Sequence, residues 1–123
     1  MAKNPVGWFE IYVDNMDRAK TFYQQVLNVE LQRLEGPDVD MWAFPMDRGG
    51  SGSSGSLVHM PGFKAGGNAV IVYFMSEDCT TEEARVVPAG GKIQKSKFPI
   101  GQYGFITLAV DTEGNMFGIH SMK

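Results

Sequence analysis

Acid–base chemistry could come from four side chains in this sequence: Glu10, His59, Tyr73 and His120. A carboxylate can act as a general base, an imidazole as an acid or base near neutral pH, and a phenol as a donor to an oxyanion. Two imidazoles and a carboxylate could also bind a divalent metal ion. Because buried polar groups need hydrogen-bond partners in any fold, a structural cluster is the alternative for each of the four. These four residues are therefore candidate catalytic residues. The sequence leaves open whether their side chains lie close together in the fold.

Apolar side chains flank these four residues at the two-residue spacing that places strand side chains on one face. We predict that they line a single pocket: Trp8 and Tyr12 beside Glu10, Leu57 beside His59, Ile71 and Met75 beside Tyr73, and Gly118, which would add room, beside His120. Small-molecule sites usually combine such apolar walls with a few polar groups. Packing into the core is an equally good interpretation for Trp8 and Leu57.

The stretch Gly7–Leu27 predicts the first strand and the first helix. Phe9, Ile11 and Val13 alternate with polar and aromatic residues, which favours a strand with one apolar face. The next apolar residues recur at helical spacing, and Asp14 or Asn15 can accept hydrogen bonds from the first turn. The helix should therefore cover the apolar face of this strand.

Seven more strands and a second helix complete the prediction. The strands are expected at residues 30–34, 41–45, 56–60, 69–75, 92–95, 105–110 and 117–121. Residues 69–75 are nearly all apolar, which predicts a buried strand. A turn at Gly36-Pro37-Asp38 should join the second and third strands. The second helix should run from Thr80 to about Val87, with Thr80 and Glu83 forming a capping box.

Two connecting segments are rich in glycine. Residues 49–55, GGSGSSG, are predicted to form a mobile loop, because Gly and Ser favour flexible coil. Residues 99–105, PIGQYGF, place Tyr103 between glycines and could form a lid over the pocket. An ordinary hairpin loop is the alternative for the second segment.

The two halves of the chain repeat the same order of elements. Strand, cap, helix, turn and strand occur twice, with Tyr12 equivalent to Tyr73 and His59 equivalent to His120. Internal repetition of this kind indicates two copies of one structural unit. We therefore predict an α+β fold in one domain, residues 1–123, built from two βαβββ modules at residues 1–62 and 63–123.

Composition argues against several classes of function. The net charge is −3 and the basic residues are scattered, which makes a nucleic-acid partner a poor expectation. Cys79 is the single cysteine, and the chain has neither a secretory signal nor a long apolar run, so we expect a cytoplasmic protein without a membrane partner.

Several motifs together resemble the vicinal oxygen chelate superfamily, which includes glyoxalase I, bleomycin resistance proteins and extradiol dioxygenases. They are DNMDRAKTFYQQVL, GGKI, PIGQYGF and DTEGNMFGIHS, and the resemblance covers nearly the whole chain. The short glyoxalase/bleomycin-resistance-like proteins are the most similar. The resemblance implies a cup-shaped, incompletely closed mixed β-sheet with the helices outside, and usually a homodimer.

The resemblance also implies one metal ligand, commonly His or Glu, on the first and fourth strands of each module. The repeat places these four positions at Trp8, Leu57, Ile71 and Gly118. None of these side chains can donate a lone pair to a divalent cation. We therefore expect no metal and no other cofactor.

The preferred function is a metal-free small-molecule binding protein of this type, with an aromatic or amphipathic ligand and a homodimeric assembly. The alternative is an isomerase, lyase or hydrolase that uses Glu10, His59 and His120, with or without a displaced divalent metal. A dimeric scaffold is a third class. The sequence leaves open the ligand, whether any reaction occurs, and whether the modules pair within one chain or between chains.

Overall fold

The computed structural model describes residues 4–35 and 39–123, so the predicted turn at Gly36-Pro37-Asp38 lies outside the described residues. The elements are β1 Phe9–Tyr12, α1 Met16–Leu27, β2 Gln32–Leu34, β3 Asp40–Ala43, β4 Gly55–His59, β5 Val72–Met75, α2 Cys79–Val86, β6 Lys92–Pro99, β7 Phe105–Val110 and β8 Met116–Ser121. A short 3-10 helix at Gly101–Tyr103 joins β6 to β7.

Each half of the chain supplies one four-stranded sheet. The strand orders are β1-β4-β3-β2 and β5-β8-β7-β6. The parallel pairs are β1 with β4 and β5 with β8. The remaining pairs are antiparallel. The predicted α+β class with two βαβββ units is therefore confirmed, and in the described part of the chain the two sheets do not close into a barrel.

Both sheets share one core with the helices. The buried residues of α1 recur at helical spacing and form a single stripe: Met16, Ala19, Phe22, Tyr23 and Val26. The ring of Tyr23 contacts Phe44 of the first module and Phe74 and Phe117 of the second, with ring centroids 5.5 to 5.9 Å apart. We call the sheet face that packs on this core the inner face, and the opposite face the outer face.

The two helices begin at side-chain caps. Asn15 caps α1, as predicted, and its side chain accepts a hydrogen bond from the Arg18 N–H at 3.0 Å. The capping box predicted at Thr80 and Glu83 is wrong, because Asp78 caps α2 and accepts from the Thr80 N–H at 3.0 Å. Glu83 instead accepts from the Lys97 N–H and the Thr107 hydroxyl, and so ties α2 to the second sheet.

The outward residues of β4 differ from those predicted. Leu57 pairs with Ile11 in register, so it lies on the inner face, where it is fully buried in the common core. Ser56 and Val58 are the residues of β4 on the outer face, beside Glu10 and Tyr12. The prediction that Leu57 and His59 share a face with Glu10 is therefore wrong by one residue.

The predicted burial of the fifth strand is also wrong. Residues 71–75 alternate between exposed and half-buried side chains. The cause is topological: among the described residues β5 pairs only with β8, and no described element covers its outer face. Phe74 points inward and joins the aromatic core, whereas Ile71, Tyr73 and Met75 are exposed.

Candidate functional site

The candidate catalytic residues do not converge within one chain. Glu10 lies on the outer face of the first sheet, and Tyr73 and His120 lie on the outer face of the second. His59 lies at the inner-face end of β4, where its Nδ1 is 3.0 Å from the carbonyl oxygen of Val13. Among the described residues, no side-chain hydrogen bond joins any two of these four.

Glu10 and Tyr12 instead line a cavity that sequence analysis missed. We call it the linker cavity, because one wall is the segment 62–70 that connects the two modules. Its volume is about 510 Å³, and β1 and the start of β8 form the opposite walls. The apolar lining includes Ile11, Val72 and Phe117. This is within the usual size of a small-molecule site.

Two asparagines hold the linker against the second sheet. Asn68 mimics a strand, because its amide accepts from the Met116 N–H at 2.9 Å and donates to the Met116 carbonyl at 3.0 Å. Asn115 accepts from the Gly66 N–H at 2.6 Å and donates to the Tyr12 carbonyl at 3.0 Å. Gly66 has a φ of 88°, which favours glycine at this bend. The cavity is thus fixed by contacts between residues distant in sequence.

An acid and two aromatic rings are among the residues that line the linker cavity. The Tyr12 hydroxyl donates to a Glu10 carboxylate oxygen at 3.0 Å. This hydrogen bond, with smaller contributions from burial and the Glu10 charge, raises the pKa of Tyr12, so the phenol remains a donor at neutral pH. The Tyr12 ring stacks on Phe63 at 5.4 Å between centroids. Lys64 adds a positive charge to the lining.

A second cavity, which we call the edge cavity, lies along the edge of β5 that no described strand pairs with. It has a volume of about 500 Å³ and is lined by residues 70–75, by Val6 and Phe9, and by Ser51–Ser53 of the glycine-rich loop. Ile71, Tyr73 and Met75, which sequence analysis placed in a pocket, all line it. Trp8 is exposed and lies outside the linker and edge cavities.

Gly118 does not add room. The ring of Tyr73, its neighbour across the β5–β8 pair, lies over Gly118 and occupies the space that a side chain would take. The predicted enlargement of the pocket is therefore wrong, because the aromatic ring of the adjacent strand fills it.

The segment predicted as a lid is attached to β8. His120 Nε2 is 2.6 Å from the carbonyl oxygen of Tyr103, whose side chain is exposed. Since a carbonyl oxygen can only accept, Nε2 must carry the hydrogen. His120 therefore anchors the turn between β6 and β7.

The positions that carry metal ligands in related metalloenzymes do not fit a divalent cation here. Trp8, Ile71 and Gly118 have no side-chain atom with a lone pair for a metal ion. On the outer face the strand register places Val58 where Leu57 was predicted, and Val58 cannot bind a metal ion either. Within residues 4–35 and 39–123, no group of three or more His, Cys, Asp or Glu side chains is arranged to hold a metal ion.

Within the part of the chain that the structure describes, neither helix has the length and apolar character needed to cross a bilayer.

Comparisons with known proteins agree with the fold. The family described as "Glyoxalase/Bleomycin resistance protein/Dioxygenase superfamily" matches residues 6–119. No curated protein sequence matches the chain. Similar solved structures include a glyoxalase I variant from Zea mays, with a TM-score of 0.76 and 19% identity over 96% of this chain and 46% of that one. The chain therefore spans about half the length of the maize enzyme.

Two further structures match over their whole length. One is TnmS3, an antibiotic binding protein from Streptomyces sp. CB03234, with a TM-score of 0.69 and 21% identity over 98% of both chains. The other is a glyoxylase/bleomycin resistance protein/dioxygenase domain from Frankia sp. EAN1pec, with a TM-score of 0.74 and 16% identity over 99% of this chain and 100% of that one. On the extent of the family match, this chain belongs to the glyoxalase/bleomycin resistance protein/dioxygenase superfamily.

Proposed function

We propose that this protein binds a small aromatic or amphipathic molecule in the linker cavity and does so without a divalent metal. The observation that carries the proposal is the cavity itself, about 510 Å³ with an acid and a stacked pair of aromatic rings in its lining. The similarity to an antibiotic binding protein supports binding as a function of this fold.

The lining indicates which features a ligand needs. The exposed faces of Tyr12 and Phe63 favour an aromatic group, since offset stacking adds to the gain from burying apolar area. Glu10 accepts one hydrogen bond from Tyr12 at Oε1, and no described residue donates to its Oε2, so Oε2 can accept from an N–H or O–H group of the ligand. We therefore expect aromatic amines and phenols to bind more tightly than purely aliphatic molecules.

The enzyme alternative has less support. Glu10, His59 and His120 face three different environments in one chain, and general acid–base catalysis needs its groups within hydrogen-bond reach of one substrate. Binding therefore remains the function that the geometry favours.

A change at Phe63 tests the proposal. After a thermal-shift screen of aromatic amines, phenols and carboxylates, we expect Phe63→Ala to weaken the best ligand about tenfold or more, because it removes an aromatic wall. Stability should change little, because Phe63 is exposed. Titration calorimetry on both proteins measures the change in dissociation constant.

Tyr103→Ala is the matched control, since Tyr103 is an exposed aromatic residue outside the linker cavity. It keeps the backbone carbonyl that accepts from His120. Equal weakening by both substitutions, or weakening by Tyr103→Ala alone, would contradict binding in the linker cavity and would support the lid prediction instead.

We also propose that the protein is a homodimer through β5. In the part of the chain that the structure describes, one edge of this strand is unpaired, and Val70, Ile71 and Tyr73 expose apolar side chains beside it, a combination that commonly marks an interface. Sedimentation should give a dimer at micromolar concentration, and Ile71→Lys should shift it toward monomer. Val87→Lys, at an exposed apolar residue beyond α2, should leave the mass unchanged. A monomeric parent protein would rule this assembly out.

A further inference from the structure

Two methionines at the ends of β5 and β8 are largely exposed. Met75 is 70% exposed at the end of β5, and Met122 is 66% exposed just after β8. Methionine normally fills gaps in cores. Exposed thioethers that share a surface with other donor atoms therefore deserve a chemical explanation.

Both methionines lie next to His120 at the ends of β5 and β8. Met75 is the register partner of His120 across the parallel β5–β8 pair, so the two side chains project from the same outer face. Met122 lies two residues after His120, and its sulfur packs against Gly104, the residue that follows the carbonyl bound by His120. All three residues line one open cavity of about 760 Å³, whose lining also includes Ser76, Glu77, Ser121 and Lys123.

The hydrogen bond of His120 leaves one ring nitrogen free to ligate. Nε2 donates to the Tyr103 carbonyl at 2.6 Å, so in the neutral ring the lone pair is on Nδ1. In metal-binding histidines the ring nitrogen that does not bind the metal commonly donates a hydrogen bond to a carbonyl or carboxylate oxygen, which fixes the orientation of the ring. The tautomer is thus set by the protein, with Nδ1 as the available donor atom.

We infer that Met75, His120 and Met122 form a binding site for a soft monovalent cation, Cu(I) or its analogue Ag(I). Two thioethers and one imidazole are the donor set that selects Cu(I), whereas hard divalent ions prefer carboxylate and carbonyl oxygens. The site lies on the second sheet, is independent of a ligand in the linker cavity, and uses none of the positions at which related metalloenzymes bind their metal.

Titration of the full-length protein with Ag(I), observed through the labelled methyl groups of its eight methionines, tests this inference. The expected result is saturation at one ion per chain, with the largest shifts at Met75 and Met122. Anaerobic competition with a chromophoric Cu(I) chelator should give the same stoichiometry. Met75→Leu and Met122→Leu should each weaken binding about 10- to 100-fold, at least the loss seen when a supporting residue of a metal site is removed.

His120→Gln separates ligation from anchoring, because its amide can still donate to Tyr103 while the imidazole lone pair is lost. It should weaken binding as much as the methionine variants, without changing the fold monitored by circular dichroism. Met46→Leu is the matched control, since Met46 is 53% exposed and lies outside this cavity. Cys79→Ser controls for the buried thiol.

Two results would overturn the site. The first is binding that disappears with Cys79→Ser or is weakened equally by Met46→Leu, since the ion would then be held elsewhere. The second is the absence of any shift at Met75 and Met122 when Ag(I) exceeds the protein concentration.

Discussion

Leu57→Ala is expected to lower the free energy of unfolding by about 2–5 kcal/mol, as for other truncations of fully buried leucines. Leu57 is 0% exposed and packs in the common core on the inner face of β4. The alanine leaves a cavity that neighbouring side chains from two sheets and a helix cannot readily fill. Denaturant unfolding followed by circular dichroism measures the change.

Val87→Ala is the control for this substitution. Val87 is an apolar residue that is 62% exposed. Because it is outside the core, its truncation should cost about 1 kcal/mol or less. Similar small losses at both positions would mean that Leu57 lines a pocket, as the sequence suggested, and that the β4 register is different.

Glu113→Gln is expected to destabilise the protein by about 1–3 kcal/mol, the range for losing hydrogen bonds to a charged group. The Glu113 side chain is fully buried, and its carboxylate accepts from the Asp14 and Asn15 N–H groups and from Arg18 at 2.6 to 2.9 Å. It thereby joins the β7–β8 turn to the start of α1. Since Arg18 is half-exposed, solvent screening limits the Coulombic part of this stabilisation.

The loss should depend on pH. Burial acts to raise the pKa of Glu113, but the hydrogen bonds from Arg18, Asn15 and Thr112 more than offset this, so the pKa lies below its ordinary value of 4.5. A carboxyl with a lowered pKa stabilises the folded state above pH 4.5 and loses that contribution as the pH falls through the folded-state pKa. The difference between parent and Glu113→Gln should therefore be constant near neutrality and shrink below pH 4.5.

Nearby Asp111 acts in the opposite direction. Burial raises the pKa of Asp111, despite hydrogen bonds from Tyr23, Asn115 and Glu113 that favour the charged form. The stabilisation that Asp111 contributes is therefore present at low pH and lost as the pH rises through its folded-state pKa. Comparing the variant with the parent at each pH removes this contribution, because both proteins contain Asp111. Glu30→Gln, at an exposed residue, is the control and should change the free energy of unfolding by less than about 0.5 kcal/mol. A pH-independent gap for Glu113→Gln would contradict the account.

The first strand and helix could be predicted from the sequence because their signals are local. Phe9, Ile11 and Val13 alternate, and α1 carries an apolar stripe after an Asn cap. The start of α2 was misassigned because Asp78 and Thr80 are both good caps, and only the structure shows which accepts the hydrogen bond.

The parity of β4 could not be predicted for a physical reason. Ser56, Leu57 and Val58 are all buried, so no polar alternation distinguishes the two faces. The internal repeat also suggested the wrong equivalence between the fourth strands of the two modules. Tyr12 pairs with Val58, whereas its equivalent Tyr73 pairs with Gly118. The chain between the paired positions of the first and fourth strands is one residue longer in the first module, so His59 is not the counterpart of His120.

The linker cavity was missed because its contacts are non-local. Asn68 and Asn115 look like ordinary loop residues in the sequence, and their role depends on hydrogen bonds to Met116, Gly66 and Tyr12. An aromatic residue and a lysine in a glycine-rich connector, Phe63 and Lys64, were the available signal.

The most direct test of ligand binding in the linker cavity is a map of amide chemical-shift changes on titration with the best ligand of the screen. The account predicts that the largest changes fall on β1 at Glu10 and Tyr12, on residues 63–70, and at Asn115 and Met116, which together surround the cavity. Changes confined to residues 71–75 and 120–122, with none on β1 or the linker, would contradict it.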